Sequence, residues 1–517
     1  MVKKLKELRF IDWMLILIVI SVPLVLIFNI FKGLDNDLWY LLTGGRYIIQ
    51  NGIYHTDMIS MHQGLDIVVQ NWLSEVIFWI IYAFMGSNGI FFMVMIVNTV
   101  ICYLVYKICM LISDKNKIVS IIVTIFTDLN LSLYFIVSRP QIFSFVILLL
   151  VIYLLELYIK NDDSKYLKYI PLLSFLEINL HASLWWFIFL FMITYIIDGI
   201  KSKKLMLQGY RLKPIIICFI VSFLVGLINP YGYKAITFIF NSYGDKYMLS
   251  YIYELQRYSF NNLIGVHIFI VVLVTMLLSV YFRKGTIRVR YLCMYCGTLI
   301  LGMVTIKAFN LFMLISAIPI SLLLKDIVIK NLDSVSNKKR KICYVLITII
   351  AISLVGFSGY SYYKMNDKIE FKHNASDAVD AIDLFTNNYP ASVYVSFNDG
   401  AYVSFRGYKP YIDPRAEVYL KKNNHKKDIY KEYYEFETGQ IDKDEFIKKY
   451  NFDFILLKAG DRLYAEDKID NYFIIYDSID YLYRVYARND VTTDDIRNYI
   501  IEEYEKSKQN SKDNNNK

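Results

Sequence analysis

Leu34-Asp-Asn-Asp-Leu-Trp-Tyr-Leu-Leu-Thr-Gly-Gly-Arg-Tyr-Ile-Ile-Gln50 follows directly on an apolar run, Ile11 to Phe31, that is long enough to cross a bilayer. Two carboxylates, Asp35 and Asp37, therefore stand at the exit of a predicted membrane helix. Beyond them Leu38, Leu41, Leu42, Ile48 and Ile49 recur at helical spacing, which predicts an amphipathic helix lying along the membrane surface. Ionisable groups at that boundary are costly and usually face a polar cavity or a bound partner. The plainer alternative is a polar loop between two spans.

The rest of the chain fits a membrane setting. It has 517 residues, 56% hydrophobic and 20% charged, and repeated apolar runs approach the ~20 residues of a crossing. The predicted spans are 11–31, 88–112, 118–137, 142–159, 169–180, 183–200, 214–230, 263–282, 291–306, 309–324 and 342–360, about 11 in all. Trp72 to Met85 is apolar but too short to cross comfortably, and reads as a second surface helix within a first outer loop, 32–86. Charge supports this layout. Loops 2–9, 113–117, 160–168, 201–213, 283–290 and 325–341 hold 24 Lys and Arg against seven in the opposite loops before the last span. By the positive-inside rule the N-terminus is cytoplasmic and the C-terminal region extracytoplasmic, in a multi-pass protein of the cell membrane. The net charge of +9 thus reports orientation, and no nucleic-acid partner is expected. The basic N-terminus precedes an apolar run without a small-residue cleavage site, so the first span reads as uncleaved. Cys293 and Cys296 form a CxxC inside a predicted span, where packing is the default role.

After residue 360 the composition becomes that of a soluble domain. Helical spacing in 375–388 and 445–450, and strand patterns at 392–397, 409–412, 452–458, 473–476 and 481–486, predict a small α/β domain over 361–508. A terminal helix is expected over 492–506 and a disordered tail over 509–517. The fold class is therefore mainly α: a polytopic transmembrane helical bundle, residues 1–360, with a C-terminal α/β extracytoplasmic domain.

This topology delivers polar groups from separate span ends to one membrane face: Asp35, Asp37, Arg139, His181, Asn229 and Lys307. Each also has a structural reading. Arg139 can anchor a helix end by snorkelling. His181 can cap its span. Asn229-Pro-Tyr-Gly232 is a good turn. His55 and Asp57 are loop polar groups or part of an acceptor or metal site, and Asp413 and Arg415 can pair within their domain. Asp128, Glu156 and Asp198 read as packing or boundary residues.

Asp37, followed by Trp39, Tyr40, Gly44 and Arg46, resembles the first outer loop of GT-C-fold glycosyltransferases, among them the protein O-mannosyltransferases, the aminoarabinose transferases and the oligosaccharyltransferase catalytic subunit. A bacterial group of GT-C-like polytopic membrane proteins is nearer still. Its features stand here as Asp37-Leu-Trp-Tyr-Leu, Asn51-Gly-Ile-Tyr-His-Thr-Asp57, Trp72-Leu-Ser-Glu75, Ser138-Arg-Pro-Gln141, Asn179-Leu-His181, Asn229-Pro-Tyr-Gly232 and Tyr411-Ile-Asp-Pro-Arg415. One departure is Lys307, where similar sequences usually carry arginine.

The resemblance implies transfer of a sugar from a polyprenyl-phosphate carrier to a glycan, lipid or protein acceptor. Asp37 would take the acceptor's proton in a single inverting displacement, with Asp35 assisting. Arg139, Lys307, His181 and Arg46 would receive the donor phosphate, and His55, Asp57, Gln141 and Asn179 would serve the acceptor or secondary positions. No cofactor is required by this scheme. A divalent metal, Mg or Mn, is left open, with Asp35 and Asp37 as its side chains if one binds. Two other classes compete: a non-catalytic assembly protein of cell-envelope polysaccharide synthesis, and a lipid-linked glycan transporter. The latter needs polar groups through mid-membrane rather than at span ends.

Overall fold

In the computed structural model the described residues are 17–18, 20–24, 35–202, 207–242, 244–260, 263–281, 288–325, 337–366, 373–386, 389–466, 468–478, 482–492 and 498. The predicted first span, terminal helix and tail fall largely or wholly outside them. The chain forms two compact units. One, helical, comprises Met1–Leu34, Ile81–Ile239 and Ile252–Glu370. The other, mixed α/β, comprises Asp35–Ile80, Phe240–Tyr251 and Phe371–Lys517. Contacts thus draw the boundary elsewhere than hydropathy does: most of the first outer loop, grouped with the spans in the sequence reading, packs within the α/β unit.

Among the described residues four helices are long and apolar enough to cross a membrane: Trp72–Ile112, Lys117–Tyr134, Gln141–Asn161 and Ile306–Leu324. Shorter apolar helices include Ala182–Asp198, Lys213–Val225, Gly265–Val280 and Val289–Val304. Trp72–Ile112 is continuous by hydrogen bonding but broken at Gly86, whose φ of 59° and ψ of −153° are not helical. A residue with a Cβ would resist that positive φ. The break falls between the two segments, 72–85 and 88–112, that span length separates in the sequence.

Polar side chains tie the short helices together, as expected where neighbouring surfaces are apolar. The Trp185 indole donates to Ser174 Oγ at 2.7 Å, and Ser174 donates on to the Ser222 carbonyl at 2.8 Å. This chain links Ala182–Asp198, Ile170–Leu180 and Lys213–Val225. Arg290, 5% exposed at its side chain, bonds Glu156 Oε1 at 2.9 Å and Asp198 Oδ2 at 2.5 Å. Asp128 accepts from Asn98 at 2.9 Å and Ser132 at 3.1 Å. These three acids have packing partners, in line with their sequence reading. Cys293 and Cys296, in contrast, lie exposed on Val289–Val304 and are not buried packing residues.

The α/β unit is built on a five-stranded sheet: β1 Ser392–Tyr394, β2 Lys409–Pro410, β3 Phe454–Lys458, β4 Tyr472–Asp477 and β5 Tyr483–Arg488, in the order β2-β1-β3-β5-β4. β1 runs parallel to β2 and β3, while β5 is antiparallel to β3 and β4. The central β3 is apolar and buried from Phe454 to Leu457 because both of its faces are covered. An aromatic cluster of Tyr394, Tyr411, Phe436, Phe446, Tyr450 and Phe452 packs beside the sheet with centroids 4.0–6.0 Å apart. The helices Gly400–Phe405, Lys421–Asn424 and Ile429–Glu437 of this unit have no counterpart in the sequence reading.

Candidate functional site

Three of the sequence-predicted phosphate-binding residues, Arg139, Lys307 and His181, belong to the helical unit, where the Lys307 charge acts on both His181 and the partner of Arg139. Arg139 follows Ser138 in the tight turn between Lys117–Tyr134 and Gln141–Asn161. Its Nη1 reaches both carboxylate oxygens of Glu254, at 2.9 and 2.8 Å, so it is not a simple lipid anchor. Glu254 stands on the one-turn helix Tyr253–Leu255. That segment is joined to the turn carrying Lys307, because Ile306 N donates to Gln256 O at 3.0 Å and Tyr258 N to Met303 O at 3.3 Å. Burial alone would raise the Glu254 carboxyl pKa, but Arg139 and then Lys307 hold it below its ordinary value. The Lys307 charge also acts on His181. His181 breaks the helix between Ile170–Leu180 and Ala182–Asp198 with φ −161° and ψ 79°, and its Nδ1 lies 3.0 Å from Ser144 Oγ. Two cations, an imidazole and one acid, drawn from positions 139, 181, 254 and 307, thus share one neighbourhood.

Gln141 and Asn179 have structural occupations. Gln141 donates to Phe135 O at 3.0 Å, and Asn179 donates to Phe175 O at 2.8 Å and Ile228 O at 3.2 Å. Asn229 closes its turn as read from sequence, donating to Gly226 and Gly232 carbonyls and accepting from Tyr231 N at 2.8 Å.

Asp35, Asp37, Arg46, His55 and Asp57 belong to the α/β unit. Helix Asp37–Asn51 begins at Asp37, and Asp35 Oδ1 accepts from Asp37 N at 3.0 Å, satisfying one of the open donors at the helix start. Both carboxylates also suit the positive end of the helix dipole. The apolar face of this helix departs from expectation. Leu38, Leu41 and Leu42 are fully buried, and they face protein: the helix packs on Gly400–Phe405. Trp39 seats against Tyr402 at 5.0 Å and Phe405 at 4.8 Å. Ile49, assigned to the same face, is 50% exposed. Gly44 and Gly45 allow a second close approach, for a Cβ on either would lie 2.1 Å from an oxygen of Glu75.

Arg46 donates to Phe405 O at 3.0 Å and lies 5.5 Å from the ring centres of Trp79 and Phe405. His55 is exposed. Asp57 is buried in an ion-pair network. Arg415 Nη1 donates to it at 2.7 Å, while Ser60 N and Ile59 N bond it at 3.1 and 3.3 Å. The same guanidinium clasps Asp413 at 2.9 and 2.6 Å, and Tyr419 donates to Asp413 at 2.7 Å. Asp57 therefore clamps its loop to the Tyr411-to-Arg415 motif, and its acceptor role in the sequence reading gives way to this one. The Asp413–Arg415 pair forms as expected.

The two units hold different parts of the expected chemistry: Asp37 and its helix in one, the Arg139, Lys307 and His181 cluster in the other. A divalent cation needs several oxygen ligands. Among the described residues no group of three or more His, Cys, Asp or Glu is arranged to hold one, and an Asp35 oxygen is already engaged. The residues therefore do not form a metal site by themselves, and no step below is routed through a metal.

No family model and no curated protein matches the chain by sequence. Solved structures do match by fold. ArnT from Cupriavidus metallidurans, bound to undecaprenyl phosphate, aligns with TM-score 0.53 at 10% identity, over 94% of this chain and 100% of that one. The oligosaccharyltransferase of Archaeoglobus fulgidus aligns in its apo form with TM-score 0.52 at 11% identity, over 86% of this chain and 69% of that one. Its form tethered to an acceptor peptide containing the NVT sequon gives TM-score 0.52 at 13% identity, over 92% and 74%. The chain has a GT-C-like fold. At these identities the likeness carries the fold and not the chemistry.

Sequence reading missed Glu254. Its signal was faint: one of two acids, with Asp245, in a polar segment on the side predicted to carry Arg139. It also missed Glu177, fully buried one turn before His181.

Proposed function

We propose that the chain is an integral membrane glycosyltransferase that moves a sugar from a polyprenyl-phosphate carrier to an acceptor at the extracytoplasmic face, in an eleven-span topology. The observation that carries this reading is the gathering of Arg139, Lys307 and His181 from three helix junctions far apart in sequence. A leaving phosphate needs cations placed where its charge develops. Arg139 offers a planar fork and Lys307 a point charge. At rest Glu254 occupies Arg139, so the donor phosphate would take the place of a carboxylate of similar charge and shape. The GT-C-like fold supports the class, and the ArnT neighbour's bound undecaprenyl phosphate supports the donor.

In this reading Asp37 is the base. It removes the acceptor hydroxyl's proton as that oxygen bonds to the anomeric carbon; the carbon–phosphate oxygen bond breaks, and the electron pair leaves on the phosphate with inversion. Asp35 holds the start of the helix that presents Asp37.

The test is transfer from a labelled polyprenyl-phosphate sugar by the purified full chain. Asp37→Asn is expected to abolish transfer while leaving the thermal transition in place. Undiminished transfer by that variant would remove Asp37 as base. Undiminished donor binding in an Arg139→Met, Lys307→Met double variant would remove the phosphate site.

A further inference from the structure

A cavity of about 380 Å³ opens in the α/β unit between helix Asp37–Asn51 and the 404–409 stretch. We propose that it binds an anionic sugar residue, a uronic acid of the acceptor glycan. Arg46 and Lys409 line it, with Tyr47, Tyr408 and Gln50, and no Asp or Glu is among the lining residues. Both cations are half-buried. Their hydrogen bonds go to neutral backbone carbonyls: Arg46 to Phe405 O at 3.0 Å and Lys409 Nζ to Met58 O.

The carboxylates beside the wall are already engaged. Asp57 is held by Arg415 at 2.7 Å, and Asp383 by Arg406 and Tyr408. Two half-buried cations therefore stand in a wall that contains no carboxylate, and an incoming anion can pair with them. Burial lowers the pKa of both groups; for Lys409, Asp57 pulls the other way.

The remaining features select a sugar rather than a bare anion. The volume lies near the lower end of the ~300–1,000 Å³ of small-molecule sites, and an inorganic anion would leave most of it unfilled. Tyr47 is braced edge-on by Tyr54 at 5.2 Å. Tyr408 is fixed through its hydroxyl by Asp383 and Thr386. Both tyrosines are therefore held in place and fix the shape of the cavity. The guanidinium fork matches the two oxygens of a C6 carboxylate, and Gln50, exposed at the rim, can meet ring hydroxyls. The word acceptor rests on the transferase reading; the binding itself does not.

The experiment is calorimetric titration of the full chain in detergent, without donor, using digalacturonate, its neutral methyl ester and inorganic phosphate. Digalacturonate is expected to bind roughly tenfold or more tighter than the ester, because the ester loses the charge-assisted bonds. Lys409→Gln is expected to weaken binding by a similar factor, and Gln50→Ala, at an exposed helix position, by a few-fold. Equal binding of acid and ester by the wild-type protein overturns the proposal whatever the variants do. Phosphate competing as well as digalacturonate overturns it too, since the cavity would then read charge without the sugar. Because no donor is present, failure here leaves the transferase reading standing, and failure of transfer leaves this binding standing.

Discussion

Arg415→Met removes the guanidinium that holds two buried carboxylates, Asp57 and Asp413, whose side chains are both 0% exposed. The guanidinium makes one bond to Asp57 at 2.7 Å and two to Asp413 at 2.9 and 2.6 Å. Methionine fills a similar volume but leaves both acids without their cation. Breaking a buried pair in this way costs about 3–5 kcal/mol, or roughly two to four orders of magnitude in local opening. Hydrogen exchange of the full-length protein, followed by mass spectrometry, should show that acceleration in peptides covering 57–67 and 411–420.

The pH dependence supplies a sign. In the wild-type protein burial pushes the Asp57 pKa up, but Arg415 and Ser60 outweigh it and hold it below the ordinary 3.8. A depressed carboxyl contributes stability that is present above about 3.8 and is lost as pH falls from there through the folded value. In Arg415→Met the largest opposing influence on Asp57 is gone, only the Ser60 hydrogen bonds still oppose burial, and the Asp57 pKa moves upward. The variant should then gain protection as pH falls from 7 toward 4, a range over which the wild-type contribution of Asp57 is constant. Unchanged exchange in these peptides at pH 7, or no gain in protection of the variant as pH falls from 7 toward 4, would refute the argument that this network secures the loop.

Other outcomes follow from the same geometry. Glu254→Gln should lower the donor KM roughly two- to fivefold, since the carboxylate it removes competes with phosphate for Arg139 and is partly exposed, so the pair is worth little more than ~0.5–1 kcal/mol; a raised KM in steady-state transfer would count against displacement. Gly45→Ala puts a Cβ 2.1 Å from the Glu75 carbonyl and should destabilise the α/β unit by about 1–3 kcal/mol, read as a lower melting temperature; an unaltered melt would show that the helix can shift freely. Dialysis against EDTA should leave transfer intact, because Asp35 and Asp37 offer too few ligands; loss of activity restored by Mg or Mn would show that substrate completes a metal site.

The apolar helices, the break between residues 85 and 88, and the strands of the α/β unit were legible because each is a local pattern of apolar length or alternation. The pattern of 34–50 announced a helix and its buried face, but not the partner of that face. A membrane surface and the aromatic side of Gly400–Phe405 are equally apolar, and period alone does not distinguish a lipid from residues some 360 positions away. The same limit governs Asp57. Its type and its loop fit a polar site, and only the arrival of Arg415 from another part of the chain makes it a clamp.

By itself the sequence determined that this chain builds a bundle of apolar helices with cations at their ends and a small α/β domain after them, because helix period, span length and charge bias act over a few neighbouring residues. Only the tertiary structure decided which charges meet. Glu254 pairs with Arg139 across 115 positions and Arg415 with Asp57 across 358. Such pairings depend on where whole elements come to rest, and nothing in the local spacing of residues encodes that.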